Sequence, residues 1–184
     1  MVEELAEVIK NGGVVLYPTD TIWGLGCDPM NEAALEKINR IKNRQADKNY
    51  LLLINSERQL HYHVQKVPEV CYDLIDFATK PLTIIYPKGK HVAPTVLAPD
   101  GSLGIRMIKE PVYLNQLLTK LKHGLISTSA NISGEPFPKH FNDIDERIKS
   151  QVDFIVDHSL ENKNTQPSQI IKIGENSEVS IIRK

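Results

Sequence analysis

The reading of residues 14–29, VVLYPTDTIWGLGCDP, decides the fold. Residues 14–17 are all apolar and predict a buried strand. Pro18 brings no backbone N–H to a ladder and is expected to stop it. Thr19, Asp20 and Thr21 then place three small oxygen-bearing side chains at the strand's carboxyl end. Open α/β sheets hold their ligands there. Gly24 and Gly26 let the backbone run close to a neighbour or a ligand. On these residues alone, a strand with a polar turn is the competing reading, because Gly and Asp also mark turns.

Working outward, residues 2–11 predict a helix with Leu5, Val8 and Ile9 on one face, ended by Gly12 and Gly13. Asn31 is placed to cap a helix that runs to about residue 42, with Leu35, Ile38 and Ile41 inward. Its last turns and the residues beyond carry Lys37, Arg40, Lys42, Arg44 and Lys48. Cations suit a helix's negative end, and such a local excess also suits phosphate. Residues 50–54 and 81–86 predict buried strands, and residues 68–78 an amphipathic helix with Val70, Leu74, Ile75 and Phe77 inward. Ser56 can cap a short helical turn, and His61 and His63 would share a face only in an extended segment. No other metal-type ligands gather near them.

Residues 88–101 are rich in Pro, Gly and Lys and read as a loop. Residues 102–107, SLGIRM, predict a strand interrupted by Arg106. A buried arginine is costly unless paired, so it is either an edge residue or a receptor for carboxylate or phosphate. Residues 111–122 predict a helix. Residues 125–126 start a strand that gives way to Ser127-Thr128-Ser129-Ala130-Asn131, a poor core and a good polar pocket wall. A helix over 141–148, a strand over 153–157, a polar loop over 160–166 and strands over 170–173 and 179–183 complete the chain. The alternation predicts an α/β fold, a mixed twisted sheet in one domain over residues 1–184.

Composition narrows the class. The chain has 184 residues, 41% apolar and 24% charged, with a formal net charge of −1, which is ordinary for a globular domain with a real core. Any basic surface must therefore be local. Cys27 and Cys71 suggest neither a zinc site nor a disulfide framework, and are expected to be reduced, partly buried thiols. The acidic, amphipathic start is unlike a signal peptide, and no apolar run reaches membrane-spanning length. A cytoplasmic protein is expected.

YPTDTIWGLGCDP, then IKNR with Lys48 soon after, then SLGIRM, LISTSANISG and PSQII follow one another in this order. Together they resemble the YrdC-like family, in its short form without an added C-terminal domain, across nearly the whole chain. The resemblance implies an open mixed α/β sheet with flanking helices around a concave basic cavity. It implies synthesis of threonylcarbamoyl-AMP and pyrophosphate from L-threonine, bicarbonate and ATP. A partner enzyme then passes the threonylcarbamoyl group to a tRNA adenosine beside the anticodon. Magnesium would accompany the ATP, bridged through water and nucleotide oxygens, with no protein ligand named.

Residue by residue, the resemblance points Lys42, Arg44, Lys48, Ser102, Ser129, Asn131 and Arg183 towards ATP. It points Thr19, Thr21, Arg106, Ser127 and Ser168 towards threonine, with the choice between Thr19 and Thr21 open. The chemistry asks for no protein nucleophile, since positioning and charge neutralisation can carry it. Gln45 stands where the family has proline, Ala78-Thr79-Lys80 where it has Trp-Pro-Gly, Leu53 where some members have histidine, and Phe137 where relatives have a small residue. The rival is a module that binds RNA or nucleotide on the same basic surface without catalysis.

Overall fold

Helix α1 (Val2–Lys10) opens the chain with Leu5, Ala6 and Ile9 buried. It leads into strands β1 (Val15–Pro18) and β2 (Trp23–Gly26). The computed structural model describes residues 1–43, 50–162 and 166–184. β1 and β2 form an antiparallel hairpin, with Val15 opposite Gly26 and Pro18 opposite Trp23. Pro18 is therefore the last residue of the strand it was expected to stop. It sits at the turn end of the ladder, where a missing donor matters least. Residues 23–26, read from the sequence only as glycine-relaxed backbone, are a second strand buried at every position.

Helix α2 (Glu32–Ile41) begins at Asn31, whose side chain accepts from the Ala34 N–H at 3.0 Å. Strand β3 (Leu51–Ile54) and helix α3 (Glu57–His63) follow, the helix capped by Ser56. In that helix His63 is buried and His61 exposed, so the two do not act as a pair. Helix α4 (Val70–Phe77) packs Val70, Leu74 and Ile75 onto the core, but Phe77, expected inward, is 82% exposed at its last residue. Next come strands β4 (Leu82–Tyr86) and β5 (Leu103–Met107), helix α5 (Val112–Leu121) and strand β6 (Leu125–Ser129). β6 runs straight through the serines that were expected to end it. The helix expected over 141–148 is broken into a single 3₁₀ turn, Phe141–Asp143, and the short helix α6 (Glu146–Lys149). Strands β7 (Phe154–Ile155), β8 (Gln169–Ile173) and β9 (Val179–Arg183) complete the fold.

Among the described residues nine strands form one mixed sheet, in the order β7-β1-β2-β6-β3-β5-β4-β8-β9. β3 pairs parallel to β5 and antiparallel to β6. β4 pairs antiparallel to β5 and parallel to β8. β9 pairs antiparallel to β8, with Ile171 opposite Ile181 and Ile170 opposite Arg183, a register slip of one residue.

Side chains alternate across a strand, and this sorts the core into two layers. Leu16, Leu25, Leu52, Ile54, Ile84, Ile105 and Ile126 share one layer with Leu35 and Ile38 of α2 and Leu60 of α3. Val15, Tyr17, Leu53 and Leu125 share the other with Leu5 and Ile9 of α1 and Leu114, Leu117 and Leu118 of α5. Each fully buried Leu or Ile contributes about 1.5–3 kcal/mol relative to exposure. α1 and α5 pack on each other over one end of their face. The rest of that face, from Gly24 through Ser127, Leu51, Gly104 and Thr83 to Ile170, is the floor of a cavity. Cys27 and Cys71 are buried free thiols.

Candidate active site

The cavity holds about 280 Å³ and is open to solvent on one side. Alternation explains its chemistry strand by strand. On β5, Leu103, Ile105 and Met107 enter or pack against the core, while Gly104 and Arg106 face the cavity. On β4, Thr83 and Ile85 face it. On β6, Ser127 and Ser129 face it, so the polar run that looked like the end of a strand is its polar face.

Of the expected site residues, Thr19, Thr21, Ser102, Arg106, Ser127, Ser129, Ser168 and Arg183 all line this cavity. They come from positions as far apart as 19 and 183. Thr19, Thr21, Ser102, Arg106, Ser127 and Ser168 are each less than 5% exposed. Buried polar groups of this kind need partners or a ligand. Lys42 and Asn131 lie beside the cavity, not in its lining. The Lys42 ammonium is turned into the protein, where it donates to the Ser129 carbonyl and, at 2.7 Å, to the Asn131 carbonyl. It thereby braces the segment that carries Ser129 and Asn131. Arg44 and Lys48 lie outside the described residues, as does Gln45.

Arg106 sits at the centre. Its Nη2 lies 2.9 Å from Asp20 Oδ1 and 3.3 Å from Thr21 Oγ1. Its Nε has no hydrogen-bond partner among the described residues, although the side chain is buried. A buried donor left in that state costs about 1–3 kcal/mol. Burial pushes the Asp20 carboxyl above its ordinary value, and the Arg106 charge opposes that rise. Thr19 is occupied within its own turn: its hydroxyl donates to the Ile22 carbonyl at 2.7 Å and accepts from the Thr21 N–H at 3.0 Å.

Arg183 reaches the cavity from β9. Its Nε donates to the Ser168 carbonyl at 2.8 Å, and Ser168 Oγ lies 2.8 Å from Thr83 Oγ1. Burial, and then the charge of Arg106, hold the Arg183 guanidinium below its ordinary pKa. Two guanidinium groups that disfavour one another across a hydroxyl-lined cavity make a receptor for anions.

Sequence reasoning missed Thr83, Asp20 as the partner of Arg106, and Trp23. Thr83 carries the signal that exposed Arg106, a polar residue in an apolar strand. Asp20 gave no sign of its partner, which lies far along the chain. Among the described residues no cluster of three or more His, Cys, Asp or Glu could hold a metal ion, and no helix is long and apolar enough to cross a membrane.

Comparison with known proteins follows the same outline. The Sua5/YciO/YrdC family model, described as telomere recombination, matches residues 7–184. A Pseudomonas fluorescens protein named threonylcarbamoyl-AMP synthase is 32% identical over 163 residues, covering 86% of this chain and 85% of that one. The crystal structure of P. abyssi Sua5 complexed with L-threonine superposes with a TM-score of 0.88 at 27% identity. It matches 99% of this chain, which spans 53% of the P. abyssi protein. E. coli YciO superposes with a TM-score of 0.83 at 26% identity, over 100% of this chain and 88% of its own.

Proposed function

The chain belongs to the Sua5/YciO/YrdC family, and from that premise we propose that it is a threonylcarbamoyl-AMP synthase, a nucleotidyltransferase that condenses L-threonine, bicarbonate and ATP. The observation that carries this reading is the buried Nε of Arg106, which has no partner among the described residues, in a cavity shared with Arg183. One guanidinium suits a carboxylate, the other a phosphate, and hydroxyls lie between them.

The threonine carboxylate would complete the Arg106 fork. Thr21 is the better placed of the two threonines to meet the substrate, because its Oγ1 faces Arg106 while the Thr19 hydroxyl is committed to Ile22. Ser127 and Ser168 would stand near the amino acid. Arg183, Ser102, Ser129 and Asn131 would meet the nucleotide, with Lys42, Arg44 and Lys48 as the basic segment towards its phosphates. The neutral threonine amine attacks bicarbonate with loss of water, or carbon dioxide with release of the amine proton to solvent, to form a carbamate. A carbamate oxygen then attacks the α-phosphorus, and pyrophosphate leaves. The protein supplies position and charge for both steps and forms no covalent bond.

The cavity's donors are hydroxyls, backbone groups and guanidinium, and Asp20 at its edge is ion-paired. That set suits magnesium carried in on nucleotide oxygens and water. The product, a reactive mixed anhydride, would pass to a threonylcarbamoyltransferase acting on tRNA, and the cytoplasm is the compartment that supplies both.

Pyrophosphate release from magnesium-ATP, with threonine and bicarbonate each present or omitted, tests the proposal. Release is expected only with both. Folded protein that binds ATP yet releases none under any combination would favour a nucleotide- or RNA-binding module, whose RNA affinity would fall steeply with salt.

A further inference from the structure

Glu161 lies in a polar segment that the reaction does not use, yet it joins three parts of the molecule. Its Oε1 accepts from the Trp23 indole N–H at 2.7 Å and from the Phe141 backbone N–H at 3.0 Å. The Trp23 and Phe141 rings pack 5.1 Å apart, and His158 stacks on Phe141 at 5.4 Å. The next residue, Asn162, donates to the Asp20 carbonyl at 3.1 Å. Glu161 and Asn162 thus brace the back of the turn whose front carries Thr19, Thr21 and the carboxylate partner of Arg106. A small space behind that turn is lined by both residues and is too tight for water. Trp23 is 1% exposed and lines the cavity. A fully enclosed indole N–H needs its acceptor, and the ring position that keeps the two together is favoured over others.

We propose that Glu161 is a positioning residue: by fixing the Trp23 indole, and with Asn162 bracing the Asp20 turn, it sets the geometry of the amino-acid end of the cavity. The assignment of that end to threonine rests on the function proposed above. The side-chain bonds of Glu161 run to Trp23 and Phe141, whereas β6 meets Trp23 through the backbone, where the Ala130 N–H donates to the Trp23 carbonyl at 2.9 Å, so a shifted indole leaves that link to the nucleotide end in place. Loss of Glu161 is therefore expected to separate the two substrates, which a general loss of folding would not do.

Trp23 is the chain's sole tryptophan, so its fluorescence reports this position directly. Emission and acrylamide quenching would be measured without ligand for wild type, Glu161→Ala and Glu161→Gln. Calorimetric titration with L-threonine and with ATP would follow. Glu161→Ala is expected to shift emission to longer wavelength and to weaken threonine binding roughly tenfold or more, because small misplacements of a positioned group are costly. ATP affinity is expected to stay within about threefold, the scale of one modest hydrogen bond. Glu161→Gln, which keeps an oxygen acceptor for the indole, should stay near wild type in every readout. Unchanged emission and threonine affinity in Glu161→Ala would overturn the proposal, as would equal loss of both ligands or a Gln variant as damaged as Ala. If Glu161→Ala does not fold, Glu161→Asp replaces it: one methylene short, it should show the same defects that Gln lacks, and parity between the two would overturn the proposal. Wild-type protein that binds no threonine would overturn the proposed activity instead, and the ligand-free fluorescence would still decide the position of Trp23.

Discussion

Arg106 makes one contact fully and offers another. Its charge is balanced by Asp20, while its Nε points at no acceptor among the described residues. Arg106→Ala should therefore weaken threonine binding far more than ATP binding, by about 2–5 kcal/mol, because it removes the buried charged donor that a carboxylate would meet. Arg106→Lys keeps a charge opposite Asp20 but loses the fork, and should show the same preference for damaging threonine at a smaller scale. Calorimetry with each ligand separates these outcomes, and equal loss of both would remove Arg106 from the carboxylate role. Arg106 was legible in the sequence because it breaks an apolar strand. Its partner was not, because an ion pair across such a span leaves no local pattern. Glu161 was hidden for a different reason: it sits in a run of polar residues, and only the fold reveals which of them turns inward.

The hairpin of β1 and β2 shows where element-level reading fails. Glycines lower strand propensity, so residues 23–26 did not look like a strand. Tertiary crowding explains why they are glycines. A Cβ on Gly26 would lie 2.6 Å from the Ile126 carbonyl oxygen and 2.8 Å from Tyr17 Cε1, and one on Gly24 would lie 3.2 Å from Ser127 Oγ. Gly26→Ala must displace backbone and is expected to cost about 1–3 kcal/mol, read as a lowered urea midpoint. Gly24→Ala meets a movable hydroxyl first and should cost less stability, while placing its methyl on the cavity floor. A Gly26→Ala protein as stable as wild type would refute the crowding. α2 was read correctly because Asn31, the apolar stripe and the closing cations all agree. The 141–148 segment was misread because its spacing is helical but its backbone is broken between Asp143 and Glu146.

For the molecule as a whole, the mixed sheet and its helical layers were legible from the succession of apolar runs. The strand order was not, because β6 and β5, which come later in the chain, are interposed between β3 and its sequence neighbours β2 and β4. One buried group links these distant parts. His63 Nε2 accepts from the Gly124 N–H at 2.9 Å, just ahead of β6, and Nδ1 lies 3.4 Å from the Lys90 carbonyl. Burial pushes its pKa down to about 4. Between the ordinary value of about 6.5 and that figure, the unfolded chain takes up a proton that the native imidazole refuses. Stability is thus fully present above this window and is lost as pH falls through it, on the order of 3 kcal/mol in all. Urea midpoints from pH 7.5 to 4.5 should show the decline, and His63→Gln, though less stable at neutral pH, should flatten it; an unchanged slope would clear His63. The slip between β8 and β9 has its own consequence, one of parity. Val179 and Ile181 pair with Ile173 and Ile171, on the face away from the cavity. Counting in twos, Arg183 belongs with them. The single surplus residue turns an even count odd and delivers the guanidinium to the opposite side. Were the pairing regular, Ile182 would stand opposite Ile170 and Arg183 would turn away; removal of Ile182 alone closes the bulge and leaves Arg183 opposite Ile170, still on the cavity side.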